Sequence, residues 1–340
     1  MSDGEKKADV AIPRATGLLV IVVENSNPNG DPDQENDPRR RSHDNRGMIT
    51  GVSFKRKLRD LVLRKDEVVW PAVAPKLGIT NTNGEWKKGD VLFDILEQRG
   101  ADARREANQL LERDFPGFKS RYWDARVFGN TFLEEGVGDT IRSGVAHFGL
   151  AISVAPVRVH RLTKTKMAPV QGGREEGAEG PSRGMAPLAH RVVEHGVYCM
   201  PFFVNPTGAQ GKRGTGCTAV DIALLLNLIR YAYPHTKSDI RPLVEIRHAW
   251  YAEHEDNLGS FSEFEFIEAL TPRRKVLVTS ADPSQGAKDV QPSVSGLPLR
   301  EQYEVPTELP PDLRGKLKGG KLYDLSADLP PWCANFKADG

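Results

Sequence analysis

The stretch from residue 15 to residue 65 constrains the fold more than any other part of this 340-residue chain. It opens with "ATGLLVIVVEN" (15–25), a Val/Ile-rich run bounded by Gly and by an Asn/Pro loop, which reads as a strand buried on both faces. A loop of Asn, Pro, Gly and Asp follows, and then the arginine row Arg39, Arg40 and Arg41. "ITGVSFKRKLRDLVLRK" (49–65) is a helix by its period, with Thr50 or Ser53 as N-cap and Phe54, Leu58, Leu61 and Val62 on one stripe. Lys55 and Arg59 line one edge of that stripe, and Lys57 and Arg64 line the other. A strand that passes through small polar residues into a helix aims the helix N-terminal amides, Lys55 and Arg59 to the side of the loop. Phosphates of a single strand would lie across such a surface, held by charge-assisted bonds that carry no sequence information.

Further along, residues 66–122 read as an insertion rich in Gly, Pro and Trp, with a helix at "ADARREANQLLERDF" (101–115). "WDARVFGNTF" (123–132) reads as a chain turn with a short strand, and "SGVAHFGLAISVAPVRV" (143–159) as one long strand. Residues 160–193 are Gly-rich, hold three Pro, lack apolar periodicity and are flanked by strand-like stretches, so they read as a long protruding hairpin. "GVYCMPFFVNP" (196–206) and "LVEIRHAWYAEHE" (243–255) are strands; "TAVDIALLLNLIRYAY" (218–233) is a buried helix, and "FSEFEFIEAL" (261–270) a short one. From about Asp282 the chain carries eight prolines and much Gly, which predicts an extended, partly ordered tail. The order of elements predicts an α+β sheet domain, and a ferredoxin-like, RNA-recognition-type core fits it. The expected division is a domain over 16–280, with insertions at 66–122 and 160–193, and a Pro/Gly-rich extension over 281–340.

Net charge is +1, which counts against a simple nucleic-acid binder, but Lys and Arg far outnumber Asp and Glu between Arg39 and Lys65. Acidic residues gather instead at 131–139, 175–179 and 253–268, so one face can be strongly positive while the total stays near zero. No stretch reaches the ~20 apolar residues of a membrane span. Cys199, Cys217 and Cys333 lie far apart with no CxxC pair, which predicts neither a zinc site nor a disulfide framework, and so a reducing, cytoplasmic setting.

Sites of chemistry are few. Asp31, Asp33, Glu35 and Asp37 alternate, but as an EF-hand the run fails, with Asn36 at its sixth position and Ser42 at its twelfth. A turn-rich loop in which Asn and Asp side chains bond their own backbone is the plainer reading. The sequence has no GxSxG, HExxH or GxxxxGK[ST] motif; "TGAQGKRGTG" (207–216) is a solvated loop whose Lys212 and Arg213 could meet phosphates. His248 and His254, beside Glu253 and Glu255, could form an acid–base pair, although packed or surface histidines are commoner. No metal or other cofactor is expected.

The loop "NSNPNGDPDQENDPR" with "ITGVSFKRKLR" resembles the start of the backbone subunit of type I CRISPR Cascade complexes, the seventh Cas protein, in its I-B and I-C forms. "WDARVFGNTF", "SGVAHFGLAISVAPV", "RGMAPLAHRVVEHGVYCMPFFV" and "WYAEHEDNLGS" continue the resemblance over roughly residues 16–275; the stretch "RRRSHDNRG" and the tail depart from it. The resemblance implies a hand-like RAMP protein with a ferredoxin-like palm and a thumb hairpin. Copies would stack head to tail along the CRISPR RNA beside other Cascade subunits, gripping phosphates and leaving bases exposed for pairing with target DNA. It implies RNA-binding roles for Lys55, Arg56 and Arg59 on the helix and for Asn25, Asn27 and Asn29 in the loop. It makes 160–193 the thumb and web, with Arg183 and Met185 near the tip, and Arg158, Arg161, Lys164 and Lys166 as a basic track. An apolar Met there suits a splayed-out base, whose lost stacking an inserted side chain replaces. A backbone grip of this kind accepts any guide, and pairing then supplies the specificity. The implied role is not enzymatic. The alternative is a type III-like subunit that cuts target RNA with an Asp after the first strand, Asp31 or Asp33; an enzyme with a pocket around His248 and His254 is a third reading.

Overall fold

In a computed structural model, residues 11–79, 91–98, 109–110, 113–130, 142–167, 185–211, 214–275, 299–317 and 321–334 are described. In chain order the principal elements begin with β1 (Ala15–Ser26), β2 (Arg46–Ile49), α1 (Gly51–Leu63), α2 (Val69–Val73), α3 (Phe115–Arg121) and α4 (Trp123–Phe128). Then come β3 (Ala146–Phe148), β4 (Ala151–Pro156), β5 (Val159–Met167), β6 (Met185–Val204) and α5 (Ala219–Ile229). The chain closes with β7 (Leu243–Glu253), α6 (Glu263–Leu270), α7 (Pro311–Lys316), β8 (Leu322–Asp324) and α8 (Pro331–Ala334).

Eight strands form one antiparallel sheet in the order β8-β7-β1-β6-β4-β2, with β3 and β5 also paired to β6. β1 lies at its centre. It pairs with β6 from Ala15↔Val204 to Ser26↔Val193, and with β7 from Ala15↔Glu253 to Glu24↔Leu243. The apolar run that forms β1 is buried on both sides, as its unbroken hydrophobicity predicts. Leu19, Ile21 and Val23 face a core shared with α1, α2 and α5, while Leu18 and Val20 face a second core with Trp250, Phe266, Leu309 and Leu317. Gly17 lets the ring of Phe202 lie across β1, since a Cβ there would stand 2.2 Å from that ring.

α1 begins where the sequence places it. The Thr50 hydroxyl accepts from the Ser53 amide at 3.2 Å, and Phe54, Leu58, Leu61 and Val62 are buried against the sheet and α5. α5 is apolar on every side because it sits within the core, and it starts in a reciprocal capping box between Thr218 and Asp221. Part of the expected insertion belongs to the same core, through Trp70, Val73, Ala74 and Leu77.

Three expectations are corrected here. "WDARVF" forms the helix α4, not a turn and strand: Trp123–Phe128 are all buried, and its polar residues are held by ion pairs that a hydrophobic pattern does not reveal. Only Gly129–Asn130 beyond it is extended. The single strand expected over 143–159 is broken into β3, β4 and the start of β5, because the chain leaves the ladder at Gly149, whose amide donates to Pro201 O at 2.8 Å. The helix expected at 101–115 lies mostly outside the described residues, as does the domain division near 280. The tail returns to the body: β8 pairs with Trp250–Ala252 of β7, and Leu309, Leu317, Leu325 and Cys333 are buried. None of the described helices is long and apolar enough to cross a membrane. All three cysteines are free thiols, and burial pushes those of Cys199 and Cys333 up to about 12.

Candidate nucleic-acid interface

β5 and β6 form a two-stranded stem with nine paired positions, from Val159↔Val193 to Met167↔Met185. β1 ends at Ser26↔Val193, so beyond that point, among the described residues, β6 is laddered to β5 alone. The loop after β1 crosses the root of this stem. Its short ladder, Gly30–Asp31 with Asp37–Pro38, places Asp37 on Arg191, and Val157 N donates to Asn45 O at 3.1 Å.

Arginines crowd this root, and its carboxylates engage only some of them. Asp31 meets Arg39 at 3.3 Å, Asp44 meets Arg41 and, at 3.5 Å, Arg46, and Asp37 meets Arg191. Arg40, Arg158 and Arg161 are exposed and form no ion pair with any described residue. Arg161 stands directly opposite Arg191 across the stem, a like-charge juxtaposition that disfavours the hairpin unless an anion lies against it. The root of the stem is therefore a positive surface with donors left over.

The asparagines divide by role. Asn25 is exposed, at φ +45°, and interrupts the pairing between Glu24↔His195 and Ser26↔Val193 without shifting the register. Asn27 and Asn29, by contrast, build the loop. Asn27 is 3% exposed and its Nδ2 donates to Asn36 O at 2.7 Å, while Asn29 Oδ1 accepts from the amide and hydroxyl of Thr50 at 2.9 and 3.0 Å. The expectation that all three face a ligand is corrected accordingly.

Arg59 is the larger correction. It is 3% exposed, with Nε 2.8 Å from Asp124 and Nη1 3.0 Å from Glu97, so its charge is engaged inside the protein. Asp124 also accepts from the amides of Leu96 and Glu97 at 2.7 and 3.1 Å, which ties residues 96–97, α1 and α4 together. Lys55 is half-buried, with Nζ 5.1 Å from the centre of the Phe128 ring. Burial, then the neighbouring Arg59 guanidinium, lower its pKa, and Glu97 opposes them. Arg56 bonds Asp60 at 2.8 Å and donates to Glu97 O at 3.1 Å. Of these helix cations Lys55 alone keeps an ammonium without a carboxylate in salt-bridge range among the described residues.

Lys164 lies in β5 opposite Leu188, and Met185 begins β6 opposite Met167; Arg183, Lys212 and Arg213 lie outside the described residues. The two histidines do not form a pair. His248 Nδ1 is 2.7 Å from Asp324 and its ring stacks on Trp250, whereas His254 meets the Thr16 hydroxyl at 3.0 Å and stacks on Phe261. Asp31 holds Arg39 and accepts from the Asp33 amide at 3.3 Å, as in a turn-rich loop; among the described residues no group of three or more His, Cys, Asp or Glu could hold a metal ion. Sequence reasoning undervalued Arg40. Its place in the arginine row was plain, but nothing local distinguished it from Arg39 and Arg41, whose acids come from Asp31 and Asp44.

An α+β protein with a broad antiparallel sheet and a basic face at the root of a hairpin is the class these features define. Residues 13–295 match the sequence model of the family described as CRISPR-associated protein Cas7, and the chain belongs to that family. No curated protein sequence matches the chain. Among solved structures it is similar to a chain of a "CRISPR RNA-guided surveillance complex, pre-nicking", at 15% identity and TM-score 0.42, covering 81% of this chain and 84% of that one. A second "CRISPR RNA-guided surveillance complex" chain gives 13% identity and TM-score 0.38, over 72% and 70% of the two chains. A chain of a "Type III-B Cmr-beta bound to cognate target RNA" gives 11% and 0.32, over 70% and 60%. At these TM-scores the assignment rests on the family match.

Proposed function

We propose that this chain is the non-catalytic backbone subunit of a Cascade-type complex, which binds CRISPR RNA through its phosphates and leaves the bases free to pair with target DNA. β1, α1, β4, β6, α5 and β7, with strands ordered β7-β1-β6-β4, are read as a ferredoxin-like palm. The β5/β6 stem is read as the thumb, with Met185 at the end of its ladder away from the sheet. Copies associate head to tail along the guide beside other Cascade subunits. The observation that carries the reading is the set of exposed arginines at the stem root, Arg40, Arg158 and Arg161, without an ion pair among the described residues, in a chain of the Cas7 family. Asn25 and Lys55 complete the grip, and Lys164 extends it. Arg56 and Arg59 are left to structure.

A backbone grip has a measurable signature. Binding of single-stranded RNA weakens with salt by about 0.7 in logarithmic slope per phosphate contact, whatever the base sequence. Protein purified from cells that express a CRISPR array is expected to carry repeat-spacer RNA, read by sequencing. The double variant Arg158→Ala/Arg161→Ala should lower the slope by about 1.4 for every guide tested. A loss confined to one guide, or an unchanged slope, would overturn the reading.

A further inference from the structure

Among the described residues the outer edge of β7 is only partly covered. β8 pairs with Trp250–Ala252, and the Leu325 amide donates to Ala249 O at 2.8 Å. The chain then turns away, the amides of Ala327 and Asp328 both donating to Asp324 O, at 2.9 and 2.7 Å. From Leu243 to Ile246, β7 is laddered to β1 alone among the described residues. Arg247 is the extra residue of a bulge that separates this stretch from the part beneath β8. A groove of about 350 Å³ follows the open stretch and ends at Ser326, just past β8. It is lined from both faces of β7: Leu243 and Glu245 are exposed on one, and Val244 and Ile246, 5% and 7% exposed, lie on the other. A groove bounded by successive residues of one strand runs along that strand's edge, where main-chain donors and acceptors stand, and not across a face of the sheet.

The charges of the groove are divided across that edge. From the side of α5 come Arg230, whose buried Nε has no hydrogen-bond partner among the described residues, and Lys237, which is exposed and forms no ion pair with any of them. From the other side comes Glu245, exposed and likewise without an ion pair among the described residues. We propose that this edge docks an extended segment of a partner protein, which adds to β7 as a strand in line with β8 and carries an acidic and a basic residue side by side. Successive side chains of a strand point to opposite faces, so such a pair sends its carboxylate to Arg230 and Lys237 and its cation to Glu245. Main-chain bonds to the open edge supply the affinity, and the two charges fix the register. RNA is the poorer occupant, because Glu24 lines the groove as well as Glu245 and their carboxylates repel phosphates. The site goes beyond the RNA-binding reading and does not depend on it.

The test uses full-length protein freed of nucleic acid, and as probe a short capped peptide of alternating Val and Thr around a central Glu–Lys pair. Amide hydrogen exchange should slow within 243–247 when the peptide is added, and stay unchanged at 250–252, which β8 already covers. The same peptide N-methylated throughout keeps its charges but loses its main-chain donors, and should give no protection. Glu245→Lys, at an exposed position, should weaken binding of the Glu–Lys peptide by about fivefold, and a Glu–Glu peptide should recover the loss in that variant. If no peptide protects 243–247, or the N-methylated one protects equally, the edge does not dock a strand and the inference is wrong. A Glu245→Lys protein that binds both peptides as the wild type does removes the assigned charge pairing and equally overturns it. Protection of 243–247 by repeat-spacer RNA in place of the peptide assigns the groove to nucleic acid and also overturns it. Failure of the wild type to bind RNA anywhere falls on the functional reading alone.

Discussion

Arg59 joins α1 to residues 96–97 and to α4 through Asp124, which is 1% exposed. Removing one member of such a pair strands the other charge away from water, so Arg59→Met should destabilise the fold by about 3–5 kcal/mol. The paired change Arg59→Met/Asp124→Leu should recover much of that loss, because both charges leave together. Urea unfolding measures both, and the salt slope of RNA binding should stay at its wild-type value in each. A stable Arg59→Met protein with a reduced slope would restore Arg59 to the interface. The helical period correctly put Lys55 and Arg59 on one edge of α1. What it could not show is that a carboxylate 65 residues away closes over one of them and not the other. The same limit separates Asn25 from Asn27 and Asn29: all three read as polar loop residues, and only the backbone of Asn36 and the cap at Thr50 reveal which two are turned inward.

Among the elements, the β5/β6 stem is the one whose structure and proposed function pull in opposite directions. Arg161 and Arg191 face each other across it, and among the described residues only Arg191 has a carboxylate. Arg161→Glu turns a repulsive cross-strand pair into an attractive one, worth roughly 0.2–1 kcal/mol. The expected outcome is a melting temperature at or above that of the wild type, with clearly weaker RNA binding. If stability and affinity fall together, Arg161 is a structural residue and the basic root loses its main support. The hairpin was legible from its boundaries, two strand-like stretches around a Gly-rich excursion. Its pairing was not, because register is set by partners and not by composition. The same holds for 143–159, where alternation announced strand but β6 decided where it would break.

Over the whole molecule the sheet is enclosed on both faces, by α1, α2 and α5 on one side and by α6 with residues 303–317 on the other. A chain that ends at residue 298 would uncover Leu18, Val20 and Trp250, now buried with Leu309 and Leu317. It should melt at a lower temperature and bind a hydrophobic dye that the full chain ignores. Unchanged melting would mean that the second core is closed by other residues. Proline and glycine content marked this tail as extended, whereas its described residues include α7, β8 and α8. The sequence hid the burial of its leucines, since apolar residues scattered among prolines show no period. A further result lies at the margin of the sheet. Three residues, Leu322–Asp324, occupy the outer backbone groups of Trp250–Ala252, and the Asp324 carboxylate accepts from the Ala249 amide. Exposed strand margins recruit strands from other chains. By fastening a later segment of its own chain over part of this one, the protein withholds those main-chain groups, so that any molecule approaching there is left with side chains to meet.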